Sequence, residues 1–375
     1  MKINLDNNLY DFIKMIAKNA RKQNKRVFFV GGYVRDYIMH KVTKDIDLII
    51  EGNAIDFCKN LEDEIEIKSI HKDFATVKVF YQNQIIDIAS TRTETYPHFG
   101  SLPEVKNIGV LIKDDVKRRD FTINSLYIEI KYKNDSLSFE LIDLVKGIDD
   151  INKKTLRVLH EKSYQDDPTR ILRGLDFKYR FGFDFSLDDK KLIKETIKNI
   201  NFDNSSKDRI KNVFLKILST KNADYIFKDI IDNKIYKILF KNKPVADYKK
   251  IDEVIEKFKL TDKSKFYFDI LQNEDIEIIP CNNILDIYNN FSKKDINFLI
   301  YYYYKTNDKN IDTYLKIKDT KLKTKGKDLI NLNYPKGKYI GEILKNLLSE
   351  KLKQQELFKT KKDEIDWVLK NYPIL

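Results

Sequence analysis

The chain has 375 residues, 42% of them hydrophobic, and a formal net charge of +12. This length predicts about two to three domains, and no run approaches the roughly 18 apolar residues of a membrane span, which argues against a membrane protein. The charge favours an anionic partner such as nucleic acid, although Lys, Asn and Ile are abundant throughout and would raise it in any case. The only cysteines, Cys58 and Cys281, predict neither a disulfide framework nor a metal site, and a reducing cytoplasm fits.

The stretch from Val27 to Glu51 predicts a strand, a glycine turn, a short helix and a second strand. Val27–Val30 is a continuous apolar run, which is typical of a strand buried on both faces. Gly31 and Gly32 then allow a tight turn and leave room for a ligand close to the main chain. The helix that follows begins with free N–H groups, which suit a phosphate, and Arg35 adds a fork of donors.

Two aspartates open the second strand of this stretch. Side chains alternate across a strand, so Asp45 and Asp47 are expected on one face, roughly 6.5–7 Å apart along it. Two carboxylates at this spacing can share a pair of divalent ions roughly 3.5–4 Å apart, as in phosphoryl transfer. Each motif is common by itself, because Gly-Gly is usually a turn and Asp-x-Asp a solvated strand end. A strand, then Gly-Gly-x-x-Arg-Asp, then Asp-x-Asp at the start of the next strand is a much more specific signal than either motif alone.

Gly31-Gly32-Tyr33-Val34-Arg35-Asp36, followed by Asp45-Ile46-Asp47, resembles the DNA polymerase β-like nucleotidyltransferases, in the branch of bacterial class II tRNA nucleotidyltransferases and poly(A) polymerases. The resemblance implies an α+β protein, with a mixed-sheet nucleotidyltransferase head followed by an all-helical neck, body and tail. The implied boundaries are 1–150 for the catalytic head, 151–220 for the base-recognising neck, and 221–375 for the tRNA-binding body and tail. It also implies Mg²⁺ as the cofactor, held by Asp45 and Asp47.

Two further features of the head follow from the same resemblance. Asp87 stands where the family carries a carboxylate beside the Asp-x-Asp pair, which implies a catalytic role. The alternative is an ordinary strand-end aspartate that is hydrogen-bonded locally. Residues 91–117 lack clear periodicity, and a loop this long is usually functional or disordered. In the resembled enzymes this stretch is a mobile loop that helps to set which nucleotide is accepted.

The segment Arg118-Arg119-Asp120-Phe121-Thr122-Ile123-Asn124 closely matches the family's Arg-Arg-Asp-x-x-x-Asn motif. The match implies that Arg119 contacts the triphosphate and that Asp120 accepts from the ribose 2′-hydroxyl. A contact with the 2′-hydroxyl is how such a site distinguishes ribonucleotides from deoxyribonucleotides. Asn124 belongs to the same implied nucleotide-binding set. A capping aspartate at a helix start would explain Asp120 but not the two arginines.

The segment Asp166-Asp167-Pro168-Thr169-Arg170-Ile171-Leu172-Arg173 predicts a helix that begins at Asp167. An aspartate that accepts from a base amino group, beside an arginine that donates to a ring nitrogen, would select C and A and refuse U and G. Asp167 and Arg170 have these polarities, and in the resembled family this motif is a protein template for the incoming base. Arg173 is then directed at the triphosphate. Asp176 stands where relatives often have a further arginine.

The rest of the chain predicts basic helices. Tyr301–Tyr304 would suit RNA stacking, but aromatic packing between helices is the favoured interpretation. Lys321–Lys327 and the glycine-containing segment after it resemble the tail that faces the tRNA body. Ser205–Ile210 is similar to the family's neck helix motif and is interpreted as structural support.

The sequence thus predicts a template-independent enzyme that adds CCA to the 3′ end of tRNA from CTP and ATP. Three related activities stay open, namely addition of CC only, addition of A only, and poly(A) synthesis. A non-catalytic RNA-binding protein is the alternative from another class. It would explain the basic tail but not the presence of Asp45, Asp47 and the arginine pair. The sequence does not determine the oligomeric state.

Overall fold

The computed structural model describes residues 3–42, 45–82, 84–199 and 207–374. Contacts divide the chain into two compact units, Met1–Lys241 and Asn242–Leu375. The finer division into head, neck, body and tail stays a prediction, and we use "head" and "neck" below for residues 1–150 and 151–220. Among the described helices, none is both long enough and apolar enough to cross a membrane.

The first unit is built on a mixed sheet. Its strands are β1 Val27–Val30, β2 Asp47–Ile50, β3 Glu66–His71, β4 Thr76–Tyr81, β5 Gln84–Ser90, β6 Arg92–Thr95, β7 Glu104–Ile108, β8 Leu126–Lys133, β9 Ser136–Asp143, β10 Thr155–Leu156 and β11 Asp184–Phe185. Seven strands form one sheet in the order β3-β4-β5-β2-β1-β8-β9. β2 and β5 pair in parallel and the other neighbours are antiparallel, so the predicted mixed sheet is confirmed.

The centre of this sheet brings the predicted carboxylates together. β1 lies between β2 and β8, and all of its residues are buried, as its apolar run predicts. The sequence predicted Asp45 inside the second strand, but β2 begins at Asp47, so Asp45 lies just before it. The parallel register of β2 and β5 sets Asp47 opposite Asp87.

Helices of the first unit cover the sheet and form the neck. They are α1 Asn7–Lys22, α2 Gly32–Ile38, α3 Ala54–Lys59, α4 Ile112–Asp115, α5 Gly147–Asn152, α6 Ser163–Asp166, α7 Thr169–Phe181, α8 Leu187–Lys198, α9 Lys207–Leu218 and α10 Ala223–Asp232. In α7, Gly174 leaves room for the ring of Phe185, because a Cβ there would lie 2.4 Å from that ring. Besides its helices, the neck contains the parallel pair of β10 and β11.

Residues 91–117 are more regular than the sequence indicates. They contain β6 and β7, which pair antiparallel, and the short helix α4. The expectation of an irregular loop was therefore wrong for much of this stretch. The register shifts between Thr93 and Glu94, and such an irregularity breaks the alternation by which a strand is recognised in a sequence. We call the segment Arg92–Ile108 the arm.

The described part of the second unit is helical. Its helices are α11 Tyr248–Phe258, α12 Ser264–Gln272, α13 Ile284–Phe291, α14 Ile296–Thr306, α15 Asn310–Ile317, α16 Gly326–Asn331, α17 Lys338–Lys353 and α18 Lys361–Asn371. Tyr301–Tyr304 lie in α14 and all are buried, with exposed fractions of 6%, 0%, 1% and 5%. The aromatic-packing interpretation of these tyrosines is therefore confirmed.

Candidate active site

A cleft of about 440 Å³ in the first unit gathers most of the residues singled out from the sequence. The predicted residues along its walls are Gly31, Gly32, Arg35, Asp47, Arg119, Asp120, Asn124, Asp167, Arg170 and Arg173. They come from the head and from the start of α7, far apart in the chain. The cleft is also lined by side chains that the sequence analysis did not assign, namely Arg92, Glu94, Tyr96, Pro103, Arg118 and Phe177.

Asp47 stands at the acidic end of this cleft. Gly31 approaches it closely, since a Cβ on Gly31 would lie 3.7 Å from Asp47 Oδ2, and its φ of +65° favours glycine. Burial raises the pKa of the Asp47 carboxyl, and the neighbouring carboxylates of Asp87 and Asp45 raise it further. Negative charge is therefore crowded at one point, which a bound cation would relieve.

The donors around Asp47 suit a hard divalent ion. Among the described residues, no group of three or more His, Cys, Asp or Glu side chains is arranged to hold a metal ion. Two carboxylates that leave room for phosphate oxygens and water are nevertheless what Mg²⁺ commonly uses in proteins. Asp47, with Asp45 close to it, has the chemistry that such an ion needs, and the role of the two as its ligands stays a prediction. Asp87 instead receives Lys78 Nζ at 2.9 Å, and its catalytic role stays a prediction.

A fully buried carboxylate, Asp115, holds the arginine pair. Its Oδ1 accepts from Arg118 Nε at 2.9 Å, and its Oδ2 accepts from Arg119 Nε at 3.0 Å. The Tyr127 hydroxyl and the Arg92 N–H donate to the same carboxylate at 3.0 and 3.1 Å. Burial alone would raise the pKa of Asp115, but Arg119 and Arg118 hold it below its usual range. Asp115 therefore fixes both arginines as a stable carboxylate.

The sequence carried a modest indication of this role. Asp115 precedes the arginines by three and four residues, the spacing at which side chains meet across a helical turn.

The contact of Asp115 with Arg119 also affects the pKa of Arg119. Burial alone would lower the pKa of the Arg119 guanidinium, but the Asp115 carboxylate raises it above its ordinary value. Arg119 therefore stays fully charged at the wall of the cleft.

Asp120 and Asn124 connect α2, the arginine motif and α7. Asp120 accepts from Arg173 at 2.5 Å and from the Phe121 N–H at 2.8 Å, and Asn124 Nδ2 lies 3.3 Å away. Burial alone would raise the pKa of Asp120, but Arg173 and the Phe121 N–H lower it. Asn124 Oδ1 in turn accepts from Arg35 Nη1 at 2.7 Å. The predicted ribose contact of Asp120 stays a prediction.

Arg35 makes several contacts within the protein, beyond the contact with phosphate predicted for it. It is 4% exposed, and its Nε donates to Asp36 Oδ1 at 2.8 Å. Its guanidinium lies over the rings of Phe177 and Phe181, 5.2 and 4.6 Å from their centroids. Arg35 therefore ties α2 to α7, and its contact with phosphate stays a prediction.

The predicted base-reading residues lie together at the start of α7. Arg170 is 3% exposed, and its Nη2 donates to the Tyr96 hydroxyl at 3.2 Å and to the Arg118 carbonyl at 3.0 Å. Asp167 accepts from Arg209 Nη1 at 2.9 Å. Asp167 and Arg170 thus both line the cleft, one with a carboxylate acceptor and the other with a guanidinium donor, and their role in reading C and A stays a prediction.

Arg209 reaches this site from α9, a contact that the sequence analysis did not anticipate. Its Nη2 also donates to the Gly100 carbonyl of the arm at 3.1 Å. The motif that contains Arg209 was interpreted only as structural support. Ser205 and Ser206 of that motif lie outside the described residues.

The head matches a known domain family. Residues 27–157 match the family model of the Poly A polymerase head domain. The A-adding tRNA nucleotidyltransferase of Geobacter sulfurreducens is 37% identical over 194 residues, which are 51% of this chain and 22% of that protein. The CCA-adding enzyme of Enterococcus faecalis is 30% identical over 240 residues, 63% of this chain and 56% of that protein. The matches thus span less than two thirds of the length of these curated relatives.

The fold comparison extends over nearly the whole chain. A solved structure, the complex of a CCA-adding enzyme with CTP, has a TM-score of 0.74 and is 25% identical, covering 99% of this chain and 97% of that one. The predicted fold class, a mixed-sheet head followed by helices, is thereby confirmed. Residues 27–157 therefore match the Poly A polymerase head domain, and the chain as a whole is similar in sequence and fold to tRNA nucleotidyltransferases.

Proposed function

We propose that the protein is a template-independent RNA nucleotidyltransferase that adds C and A to the 3′ end of tRNA from CTP and ATP. One observation carries this proposal: the carboxylate of Asp47 lines the same cleft as Asp167 and Arg170. Nucleotidyl transfer and base choice would therefore take place at two ends of one site. The similarity to a CCA-adding enzyme, and to the solved complex of such an enzyme with CTP, supports the same substrates. Such an enzyme would act in the cytoplasm.

The acidic end would carry the chemistry. Nucleotidyltransferases of this family generally use divalent metal ions, and we propose Mg²⁺, held by Asp45 and Asp47. When bound, such ions lower the pKa of the attacking hydroxyl and neutralise charge on the leaving pyrophosphate. The protein itself would hold the primer and the nucleotide in line. Asp87 would add negative charge on the neighbouring strand, opposite Asp47.

The basic wall would hold the triphosphate. Asp115 orients Arg119, which keeps its full charge inside the cleft. Arg173 is half-exposed and reaches the cleft from α7, where it already pairs with Asp120. A guanidinium suits a phosphate because its planar fork can donate two parallel hydrogen bonds. Arg119 and Arg173 would therefore bind the triphosphate, with Gly32 leaving space beside it.

The neck end would read the base. Asp167 would accept from the exocyclic amino group of C or A, and Arg170 would donate to the adjacent ring nitrogen. U and G present a carbonyl oxygen and an N–H at these positions, so an acceptor would face an acceptor and a donor would face a donor. Each good bidentate pair discriminates against the wrong base by about 1–3 kcal/mol.

A primer-extension assay on tRNA that lacks its 3′ end tests the proposal. We expect wild type to incorporate CTP and ATP only when Mg²⁺ is present, and Asp45→Ala to be inactive. Asp63→Ala removes an exposed carboxylate elsewhere in the head and serves as the matched control, with wild-type activity. No incorporation by wild type, or full activity of Asp45→Ala, would overturn the proposal.

Addition of A alone is the second candidate, because the relative at 37% identity is named A-adding and the one at 30% is named CCA-adding. CTP and ATP supplied separately to tRNAs that end before the first C, after CC, or after A distinguish the activities. An A-adding enzyme extends only the CC end. A CC-adding enzyme stops before A, and a poly(A) polymerase continues beyond one A.

A further inference from the structure

A second cavity, of about 280 Å³, lies in the first unit between α7, α8 and α10. We call it the rear cavity, and its walls include Leu175, Phe185, Ile193, Lys194 and Asp229. No residue lines both this cavity and the candidate active site. Nucleotidyl transfer in the cleft does not require a cavity here, so the chemistry of its own walls indicates what it could hold.

The rear cavity lies behind the helix that contributes arginines to the cleft. Successive residues of a helix are about 100° apart around its axis. Arg170, Arg173 and Phe177 line the cleft and cluster on one face of α7. Leu175 and Lys178 line the cavity and lie roughly 140° around the helix from that face. A ligand in the cavity would therefore not compete with a nucleotide in the cleft.

The floor of the rear cavity is apolar. Leu175, Phe185, Ile193 and Ile235 line it, and all four side chains are buried. A hydrocarbon group placed against them would leave water and gain van der Waals contacts. Binding sites for small molecules are typically concave and mostly apolar, with a few polar groups that fix the orientation of the ligand. The floor therefore suits the apolar part of a small molecule.

Asp229, on the α10 side of the rim, has donors on both of its oxygens. Its Oδ2 accepts from Lys178 Nζ at 2.7 Å and from the Tyr179 hydroxyl at 2.9 Å. Its Oδ1 accepts from the side-chain amide of Asn233. The carboxylate of Asp229 and the ammonium of Lys178 neutralise each other, so this pair adds no net charge to the rim.

The α8 side of the rim carries one positive charge in excess. Asp184 Oδ2 accepts from Lys190 Nζ at 2.6 Å, and Asp184 Oδ1 accepts from the Phe185 N–H at 2.9 Å, so this pair is neutral as well. Lys194 follows Lys190 by one helical turn, lines the cavity and is exposed. Among the residues that the structure describes, its ammonium has no hydrogen-bond or ion-pair partner. The cavity therefore combines an apolar floor with one uncompensated positive charge.

We propose that the rear cavity binds a small amphipathic anion, that is, an aromatic or branched hydrocarbon body that carries one anionic group. The body would lie against the apolar floor, and the anionic group would accept from the ammonium of Lys194. A cation fits poorly, because both carboxylates on the rim already have donors on both oxygens. The inference goes beyond the proposed function and does not depend on it, because the cavity and the cleft have no residue in common.

Two dyes that differ only in one anionic group test the role of Lys194. Anilinonaphthalene sulfonate carries the charge, phenylnaphthylamine has the same rings without it, and both report apolar surroundings by fluorescence. We expect Lys194→Met to weaken binding of the sulfonate about two- to fivefold, because solvent screens an exposed charge, and to leave the uncharged dye unaffected. Lys191→Met is the control, since Lys191 pairs with Asp188 on the same helix and does not line the cavity. No loss in Lys194→Met, or an equal change for both dyes, would overturn the role of Lys194.

Asn233→Trp tests the cavity itself, because a large ring at this rim position would cover its mouth. Asn233 is exposed, so we expect the melting temperature to stay near that of wild type. Binding of both dyes should fall by about tenfold or more, since the apolar floor is no longer accessible. Asp232→Trp places the same ring at the neighbouring exposed position, which does not line the cavity, and should bind like wild type. Unchanged binding in Asn233→Trp would contradict the proposed site.

Competition distinguishes the rear cavity from the cleft and from a surface that binds RNA. CTP, and tRNA that lacks its 3′ end, are each added to wild type with the sulfonate dye bound. We expect neither to displace the dye, because CTP would occupy the other face of α7 and an RNA stem cannot enter a cavity of this volume. Displacement by CTP would place the dye in the cleft, displacement by tRNA would assign Lys194 to the RNA, and either result would overturn the inference. A protein that never extends tRNA but loses dye binding in Lys194→Met and Asn233→Trp would lose the proposed function and keep this site.

Discussion

The two compact units bury charge in different ways. In the first unit, Asp115, Asp120 and Arg170 are each less than 10% exposed, yet all lie at or beside an open cleft. In the second unit, the buried carboxylate of Glu364 is enclosed by Lys351 and by main-chain N–H groups, and the core around α14 is filled by tyrosines. Buried charged groups that line an open cleft indicate a role in chemistry. Buried charged groups whose partners all lie within the protein indicate a role in stability.

Glu364 shows the second case clearly. It is fully buried and accepts from Lys351 Nζ at 2.6 Å and from the Lys323 and Thr324 N–H groups at 2.9 and 2.6 Å. Burial alone would raise the pKa of Glu364, but Lys351 and these N–H groups lower it. Glu364 thus anchors the start of the basic segment Lys321–Lys327. Asp47 is the opposite case, because its surroundings raise its pKa.

The sharpest test of this comparison is Asp47→Asn. We expect activity to fall by about three powers of ten or more, since ion binding supplies several kcal/mol to phosphoryl transfer. We also expect the melting temperature without divalent ions at pH 7 to stay equal or rise. The raised pKa means that the folded state disfavours the ionised carboxylate, so removing the charge removes a penalty. Primer extension and thermal unfolding measure the two effects, and a large drop in melting temperature would contradict the comparison.

Local patterns in the sequence were enough to identify most of the residues that line the cleft. The apolar run of β1, the glycines after it and Asp47 predicted the central strands, because strand alternation and burial are local properties. Asp167 and Arg170 followed from the polarity of a base edge. Most of the residues predicted for the site meet in one cleft.

The supporting residues were not predicted because their contacts are distant in the chain. Arg209 lies 42 residues from Asp167 and 109 from Gly100, and Tyr96 lies 74 from Arg170. No spacing rule connects such positions before the fold is known. The arm was missed for a different reason, since its register shift hides the strand pattern.

Glu364→Gln tests the folding side of the comparison. Breaking a buried ion pair costs about 3–5 kcal/mol, so we expect a loss of stability in this range at pH 7. Because the folded pKa of Glu364 lies below 4.5, its contribution is present above the unfolded pKa and is lost as the pH falls through the folded value. The difference between wild type and variant should therefore shrink below about pH 4.5.

The single tryptophan, Trp367, provides the probe for this measurement, because it lies in α18 with Glu364 and contacts Phe358. Urea unfolding followed by its fluorescence reports on this part of the chain. Glu356→Gln, which breaks an exposed pair with Lys359, is the control and should have little effect. If Glu364→Gln is folded but no longer binds nucleotide, Glu364 does more than stabilise the second unit, and the comparison fails.

Asp115→Asn tests whether the buried carboxylate of Asp115, which does not itself line the cleft, supports nucleotide binding by orienting Arg118 and Arg119. Asparagine keeps the shape but loses the charge that orients Arg118 and Arg119, so we expect the KM for CTP to rise about tenfold, near the strength of one charge-assisted hydrogen bond. Binding of CMP, which lacks the outer phosphates, should change little. Asp114→Asn alters an exposed pair with Lys117 and is the control. If the affinities for CMP and CTP fall equally, the substitution has disrupted the cleft as a whole rather than the contacts with the outer phosphates.

Lys78→Met is expected to have the smallest effect of these substitutions, and it should favour activity at low Mg²⁺ rather than reduce it. The ammonium of Lys78 neutralises Asp87 and repels a cation at the neighbouring Asp47, so its removal should lower the Mg²⁺ concentration for half-maximal activity. The side chain of Lys78 is 38% exposed. Because solvent screens such a charge, we expect a change of only about two- to fivefold, and less at high salt.

Magnesium titration of primer extension at fixed CTP measures this effect, with Lys68→Met as the control for an exposed lysine on β3. A lower magnesium requirement would mean that Asp87 contributes charge to the ion site, as the sequence predicts. An unchanged requirement would leave Asp87 as a strand residue paired with Lys78. Loss of activity at saturating magnesium would instead assign Lys78 a contact with the nucleotide, and the acidic end of the cleft would then include a basic residue of its own.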